Sequence, residues 1–303
     1  SNSFLAKQIK RFFFVNRLVK FVIIICEKLP YLSVLVDNEP LNSQRDKKGL
    51  TQKVNMPNFT KFENDFCVNW LMKNGWKGPS QKVVLFHIRD SLYLKKITKN
   101  TSFNELDFSY HKYRDSNIDD FIDSINWIIN KKNAFVIRTG KIANKRAKIE
   151  SEFFLDYPFI ENSNDLLDIW LFANSDLVVS TGSGIDEISA AYRVPRIYVN
   201  LLPFTDSPSW TKSLTIPKHL FWNINNKHLS LKDYLKIGRL NNNKKFSDEG
   251  INIQSLTSSE ILKATVDGWN YFIEDRSIND DDLFCTGQFL DFIEKDSYLN
   301  NFH

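Results

Sequence analysis

Glycine is scarce in this chain of 303 residues, which contains 10 glycines, whereas phenylalanine is frequent, with 25 residues. Few glycines leave few positions for a positive φ or for a close approach of backbone and ligand. Two of the ten nevertheless stand two residues apart, at Gly182 and Gly184. We therefore expect this pair to serve a specific local purpose.

Cysteine is also rare. Cys26, Cys67 and Cys285 lie far apart and form no C-x-x-C pair. This spacing argues against a disulfide framework or a structural zinc site, and it favours a reducing, cytoplasmic environment. The five histidines show no H-E-x-x-H motif or other metal-ligand spacing, so we expect no metal cofactor.

Long apolar runs are missing as well. The run Phe21–Cys26 is bounded by Lys20 and Glu27, and a membrane span needs about 20 apolar residues. Residues 5–29 show apolar side chains at near-helical spacing with basic residues between them. Two interpretations stay open: a basic amphipathic helix on an anionic membrane surface, or a helix docked on the protein's own core.

The net charge of +4 is too small to indicate nucleic acid as a partner, and the aromatic residues are spread through the chain rather than interleaved with a basic patch. From Lys82 onward the pattern alternates between apolar runs and amphipathic segments. It predicts strands at 83–86, 134–137, 176–180 and 195–200, with helices at 117–130, 165–173 and 185–193 between them. Such alternation is typical of βαβ units.

We therefore predict an α/β fold, with a Rossmann-like parallel sheet and helices on both of its faces. This domain should occupy residues 81–303 and close with helices near its carboxyl terminus. Residues 1–80 should form an amino-terminal helical and linker region.

The segment Ser180–Glu187 (STGSGIDE) lies between a predicted strand and a predicted helix. Unsatisfied backbone amides at a helix start favour an anion, and the glycines permit close approach. We predict that its first five residues bind a phosphate, and that Asp186 and Glu187 accept hydrogen bonds from ribose or sugar hydroxyls. The predicted phosphate-binding residues are Ser180, Thr181, Gly182, Ser183 and Gly184. The alternative is an ordinary strand-to-helix turn that binds nothing.

Two other predicted strands also end in polar clusters, His87/Arg89/Asp90 and Arg138 to Lys141. Carboxyl ends of parallel strands meet at one edge of a sheet, which is where ligands bind. We predict that His87, Arg89 and Arg138 bind a diphosphate, since arginine can bind phosphate bidentately. A buried Arg89–Asp90 salt bridge and a structural His87 are the alternatives.

The loop 107–116, after the first strand, should reach over the same edge. Its residues Tyr110, Tyr113 and Arg114 are predicted to contact a base, a sugar or an acceptor. His111 and Asp90 are the candidates for a general base. The alternative is a loop held by its own hydrogen bonds. The chain has no G-x-S-x-G, P-loop or G-x-G-x-x-G motif, so hydrolase, ATPase and NAD-dependent functions are disfavoured.

Four motifs, in this order, resemble a family of bacterial glycosyltransferases associated with surface polysaccharide synthesis. The motifs are HIRDSLYL at 87–94, DFSYHKYRDSNID at 107–119, FVIRTG at 135–140 and STGSGID at 180–186. The resemblance covers residues 58–205 and implies a GT-B-like nucleotide-sugar domain with a reduced or truncated amino-terminal part.

More distantly, His87-x-Arg89 is similar to the diphosphate-binding motif of GT-B fucosyltransferases, in which the arginine contacts the pyrophosphate. That motif continues with a second arginine and a later aspartate, whereas Asp90 follows at once here. A GDP-fucose donor is therefore not implied.

Together these observations predict a metal-independent glycosyltransferase without a cofactor. Its partners would be a nucleotide sugar and a glycan or lipid-linked acceptor, with no nucleic acid. It would be cytoplasmic, with peripheral contact at the inner membrane face through residues 5–29. The alternatives are a non-catalytic nucleotide-sugar or glycan-binding module and a nucleotide-sugar epimerase.

Overall fold

The structure is a computed structural model, and it describes residues 2–12, 16, 18–29, 56–90, 92, 112–161, 163–208, 211–237, 240 and 243–277. The helices of this part of the chain are α1 Ser3–Phe12, α2 Leu18–Lys28, α3 Lys61–Lys73, α4 Ile122–Lys132, α5 Asp165–Asn174, α6 Asp186–Ala191, α7 Leu231–Ile237, α8 Asn243–Asp248 and α9 Ser258–Phe272. The strands are β1 Val83–His87, β2 Phe135–Thr139, β3 Phe154–Asp156, β4 Leu177–Ser180, β5 Arg196–Leu201, β6 Ser213–Pro217, β7 His219–Trp222 and β8 Ile251–Gln254.

Six strands form one parallel sheet in the order β3-β2-β1-β4-β5-β6. Strands β1, β2 and β4 are apolar except at their carboxyl-terminal ends and are buried along almost their whole length, as expected for a parallel sheet covered on both faces. The predicted α/β fold is confirmed. From β1 the chain adds β2 and β3 on one side, then returns to place β4, β5 and β6 on the other side of β1. The neighbouring strands β1 and β4 therefore form a switch point, and such a point opens a crevice at the carboxyl edge of the sheet.

Alternate residues of β1 pack into two separate apolar cores, one on each face of the sheet. Val84 and Phe86 belong to the cluster covered by α4 and α9, whereas Val83 and Leu85 belong to the cluster covered by α3 and α5. Helix α9 approaches the sheet at Gly268, where an added Cβ would lie 2.3 Å from Ile197 Cδ1. The result is a three-layer arrangement with the sheet in the middle.

The segment 5–29 is divided into two helices that differ in their surroundings, so a single helix over this range is wrong. Helix α1 docks on the protein: Phe4 and Gln8 are buried, and Gln8 Nε2 donates to Pro57 O at 3.1 Å. Arg11 forms a two-bond ion pair with Glu63 of α3. Helix α2 has no buried side chain among those described. The docked interpretation therefore holds for α1 and not for α2.

A small antiparallel sheet, β7–β8, lies beyond the main sheet. With α7 and α8 it encloses a third apolar cluster, which includes Leu220, Phe246 and Ile251. No helix in the described part of the chain is long and apolar enough to cross a bilayer.

Candidate functional site

A cavity of about 410 Å³ lies at the carboxyl edge of the sheet, at the switch point. Strand register explains its composition, because His87 is paired with Thr139 of β2 and with Ser180 of β4. Side chains and backbone that follow these three strands line it, and α5 closes one side with Leu171 and Phe172. Six of the predicted site residues line it: His87, Arg89, Asp90, Arg114, Ser183 and Gly184.

Arg138 does not line this cavity, although β2 ends there. It is paired with Phe86 rather than His87, and successive strand residues point to opposite faces. Arg138 is 3 % exposed and donates to Lys145 O at 2.7 Å and Asp156 Oδ1 at 3.4 Å. Burial lowers the pKa of its guanidinium. The two predicted diphosphate arginines therefore do not share a cavity, because Arg89 lines the first cavity and Arg138 does not.

The turn after β4 is held by Asp186, which is almost completely buried. Its Oδ2 accepts from Ser180 Oγ at 2.7 Å and from the Ser183 amide at 2.6 Å. The Thr181 and Gly182 amides donate to His87 O and to Ser180 Oγ. Three amides of the turn are thus engaged within the protein, and the helix that follows has only six residues. The ribose role predicted for Asp186 remains a prediction, and its visible role is to shape the turn.

The two glycines of the turn differ. Gly182 has φ +85°, and an added Cβ would lie 2.5 Å from Leu201 Cδ1. Gly184 is exposed, lines the cavity and has open space where a Cβ would stand. Gly182 is therefore required by the backbone, whereas Gly184 leaves room beside the cavity.

His87 forms part of the cavity wall. Its Nδ1 lies 2.9 Å from Thr139 Oγ1, and its ring packs edge-on against Phe172, with centroids 5.5 Å apart. Burial lowers the pKa of the imidazole, so the ring is neutral near pH 7. A neutral imidazole offers a ligand hydrogen bonds without contributing positive charge.

Asp90 links two loops at the mouth of the cavity. Its Oδ1 accepts from the Leu92 amide and its Oδ2 from the Asn144 amide, each at 2.9 Å. Each carboxylate oxygen can accept more than one hydrogen bond, so these contacts orient the group and leave acceptor capacity.

Three cations line the cavity: Arg89, Arg114 and Lys141. The Arg89 backbone amide donates to Thr181 Oγ1 at 2.9 Å, and its Nε lies 3.9 Å from Asp115 Oδ1. Arg114 Nη2 donates to Gly182 O at 3.2 Å, while its Nε is buried without a partner among the described residues. Lys141 Nζ donates to Asp165 Oδ1 at 2.8 Å. With Asp90 and Asp168 also in the lining, the cavity carries one more cation than acids.

Asp168 and Tyr157 also line the cavity, and sequence reasoning missed both. Asp168 is buried and accepts from the Tyr157 hydroxyl at 2.9 Å, and Lys141 Nζ lies 3.6 Å from its other oxygen. Burial raises the pKa of this carboxyl, although the Tyr157 hydrogen bond and Lys141 oppose the shift. The sequence does contain an indication of Asp168, since it is the one acid within the otherwise apolar stretch 166–173.

Two further predicted residues, Tyr113 and Glu187, do not line the cavity. Tyr113 is buried in the third apolar cluster, with its ring 5.4 Å from that of Phe246. Glu187 lies on α6 and does not line the cavity. Tyr110 and His111 are outside the residues that the structure describes.

A second cavity of about 410 Å³ adjoins the first on the opposite face of the sheet. Ile88 and Asp90 line both cavities. The second is lined by charged and amide side chains, including Arg138, Asp120, Asn117 and Asn144. Asp90 therefore stands between the two cavities.

Within the described ranges, no group of three or more His, Cys, Asp or Glu residues is arranged to hold a metal ion. Comparison of the chain with protein-family models, with curated proteins and with solved structures finds no match in any of the three.

Proposed function

We propose that this chain is a glycosyltransferase whose nucleotide-sugar donor binds in the switch-point cavity. One observation carries the proposal: three cations, the buried carboxylate of Asp168 and the imidazole of His87 line one cavity at the carboxyl edge of β1 and β4, where the connections from these two strands run in opposite directions. That edge is the usual ligand site of doubly wound sheets, and a nucleoside diphosphate sugar combines anionic phosphates with neutral hydroxyls.

The diphosphate would lie against Arg89, Arg114 and Lys141. A guanidinium offers two parallel donors to phosphate, and a partly enclosed site strengthens each contact relative to water. Negative charge grows on the leaving diphosphate as the glycosidic bond to phosphate breaks. Cations fixed around that position stabilise the developing charge, which is the task that a metal ion performs in other transferases.

The donor sugar would extend toward Asp168 and Phe172. A carboxylate fixed by Tyr157 accepts hydrogen bonds from hydroxyls, and the adjacent aromatic ring packs against the apolar face of a pyranose. His87, held through Thr139, would direct a hydrogen bond at the same ligand. These assignments place charged groups on the phosphates and neutral or accepting groups on the sugar.

The acceptor would enter from the second cavity, beside Asp90. Its hydroxyl oxygen forms a bond to the anomeric carbon, the bond from that carbon to the phosphate oxygen breaks, and the nucleoside diphosphate leaves with the electron pair. The acceptor's proton passes to a base, for which Asp90 and His111 are the candidates. Asp90 is favoured by its position between the two cavities.

The GT-B-like description belongs to this proposal as well. Before β1, the described residues contain helices only, so an acceptor domain of the usual GT-B size is not present among them. The acidic run Asp280–Asp282 lies outside the described residues, and the binding assay with EDTA and with Mg²⁺ tests metal independence directly.

Binding is tested by thermal shift with the diphosphate and nucleotide-sugar forms of the common bases, each with EDTA and with Mg²⁺. A ligand at 100 times its Kd adds about 2.7 kcal/mol of stability. We expect one base series to raise the melting temperature equally with EDTA and with Mg²⁺, and Arg89→Ala to abolish the shift. The matched control is Arg276→Ala, because Arg276 pairs with Glu274 and lines neither cavity. A shift in every series that survives Arg89→Ala would contradict the donor site.

Catalysis is tested by following the nucleoside diphosphate released from the bound donor, with and without glycan and lipid-linked acceptors. Transfer that is lost in Asp90→Asn while donor affinity is kept supports the transferase. Tight binding without release under any condition would instead indicate a binding module. Conversion of the sugar without an acceptor would indicate an epimerase.

A further inference from the structure

Helix α2 exposes large apolar side chains to water. Phe21 is 62 % exposed and Leu18 is 64 % exposed. Five further apolar residues of the helix are exposed as well: Val19, Val22, Ile23, Ile24 and Ile25. Ile9 and Phe12, toward the end of α1, extend the apolar character of this region. Contiguous apolar surface of this kind marks an interaction site in a soluble protein.

Apolar residues surround most of helix α2. At about 100° per residue, Phe21, Ile25, Leu18, Val22 and Ile23 span an arc of roughly 200°. Ile24 falls in the remaining arc, between Lys20 and Lys28, and all three of these residues are exposed. A groove on a protein partner covers a narrower stripe of a helix, whereas the boundary between lipid headgroups and acyl chains surrounds a helix on most of its sides.

The charge around α2 is mainly positive. Glu27 is the single acidic residue between positions 2 and 29. Lys7 and Lys10 of α1 are exposed and add to Lys20 and Lys28. Basic residues beside an inserted apolar face strengthen binding to anionic lipids. The surface therefore complements an anionic bilayer in both apolarity and charge.

We propose that α2 inserts in the interface of an anionic membrane and holds the protein at that surface. The helix has 11 residues and is about 16 Å long, roughly half the thickness of the hydrocarbon core. It therefore lies in the plane of the interface instead of crossing the bilayer. Docking of α1 through Gln8 and Arg11 fixes the anchor to the body of the protein. This proposal does not depend on the function of the cavity.

The test is cosedimentation of the full chain with vesicles, made either of phosphatidylcholine alone or of an equal mixture with phosphatidylserine. We expect binding to the mixed vesicles and weaker binding to phosphatidylcholine. Phe21→Glu should lower the partition coefficient at least about tenfold, since one buried apolar side chain contributes that factor or more. Lys20→Glu should lower it about fivefold or more on anionic vesicles only, because each basic residue near an anionic surface contributes about that factor.

Phe62→Glu is the matched control. Phe62 lies on α3, is 79 % exposed, and is not part of the proposed anchor, so this variant should bind as the unmodified protein does. The proposal is overturned if neither vesicle binds the protein, or if Phe21→Glu and Phe62→Glu lose binding equally. A lipid-free dimer that Phe21→Glu converts to a monomer, measured by sedimentation velocity, would also overturn it and assign α2 to a second copy of the chain.

Discussion

Replacing Gly182 with alanine should destabilise the protein strongly, for two reasons that can be separated. The residue has φ +85°, and a Cβ at this position would lie 2.5 Å from Leu201 Cδ1. A left-handed backbone costs a non-glycine residue about 1–2 kcal/mol, and overpacking costs about 1–3 kcal/mol. We therefore expect Gly182→Ala to lower the free energy of unfolding by about 2–5 kcal/mol.

The assay is urea denaturation at neutral pH, with Gly184→Ala as the control. Gly184 lacks a positive φ, and a Cβ added there would have no atom within 4 Å, so this variant should stay within about 0.5 kcal/mol of the unmodified protein. Leu201→Val removes the δ-methyl groups and should relieve the steric part alone. In the double-mutant cycle we expect a favourable coupling of at least about 1 kcal/mol. Equal stability of the two alanine variants would refute the geometry of the turn.

Three other substitutions test separate parts of the account. Lys218 is buried and donates to Asp115 O, and burial lowers its pKa to about 8. Between about pH 8 and the ordinary lysine pKa, the folded state therefore binds fewer protons than the unfolded state. In urea titrations, the free energy of unfolding of the unmodified protein relative to Lys218→Met should rise by about 3 kcal/mol from pH 7 to pH 10.5. A difference in unfolding free energy that does not change with pH would contradict this. Asp168→Asn should weaken binding of the proposed donor about tenfold, measured by calorimetry, while the free energy of unfolding changes by less than about 1 kcal/mol. Unchanged affinity would show that Asp168 does not contact the ligand. Glu63→Gln should lower stability at neutral pH by about 1 kcal/mol. The Arg11 hydrogen bond lowers the Glu63 pKa. Its contribution to stability is therefore present above the unfolded-state pKa and is lost as the pH falls through the folded-state pKa, so the unfolding free energies of the two proteins should converge in acid urea titrations. A difference that stays constant with pH would argue against the ion pair.

The central strands could be predicted from sequence because each is a short apolar run bounded by polar residues, as at Leu177–Ser180. The edge strands could not. Phe154–Asp156 has three residues, and Ser213–Pro217 has mixed polarity and partial burial along its length. Their strand conformation depends on pairing with β2 and β5, which no local pattern reveals.

The site was predictable to the level of the sheet edge but not to the level of its two faces. Grouping residues by strand end correctly brought His87, Arg89 and the turn residues Ser183 and Gly184 together. It misplaced Arg138, because the two-residue alternation of β2 sends that side chain to the face opposite Thr139. Asp168 was missed because helix α5 contributes it from outside the strand-end motifs.

The amino-terminal segment shows a similar limit. The spacing of apolar residues over 5–29 predicts helix throughout. Spacing alone cannot reveal which part of the segment packs against the rest of the protein. Helix α1 docks because Gln8 hydrogen-bonds to the Pro57 carbonyl and Arg11 forms an ion pair with Glu63. The large apolar residues of α2 stay exposed.

The donor site is tested most directly by a crystal structure of the protein grown with the nucleoside diphosphate that gives the largest thermal shift. We predict density for the diphosphate between Arg89, Arg114 and Lys141, with the sugar end directed toward Asp168. Diphosphate bound beside Arg138 in the second cavity, or at a surface away from the carboxyl edge of the sheet, would contradict it.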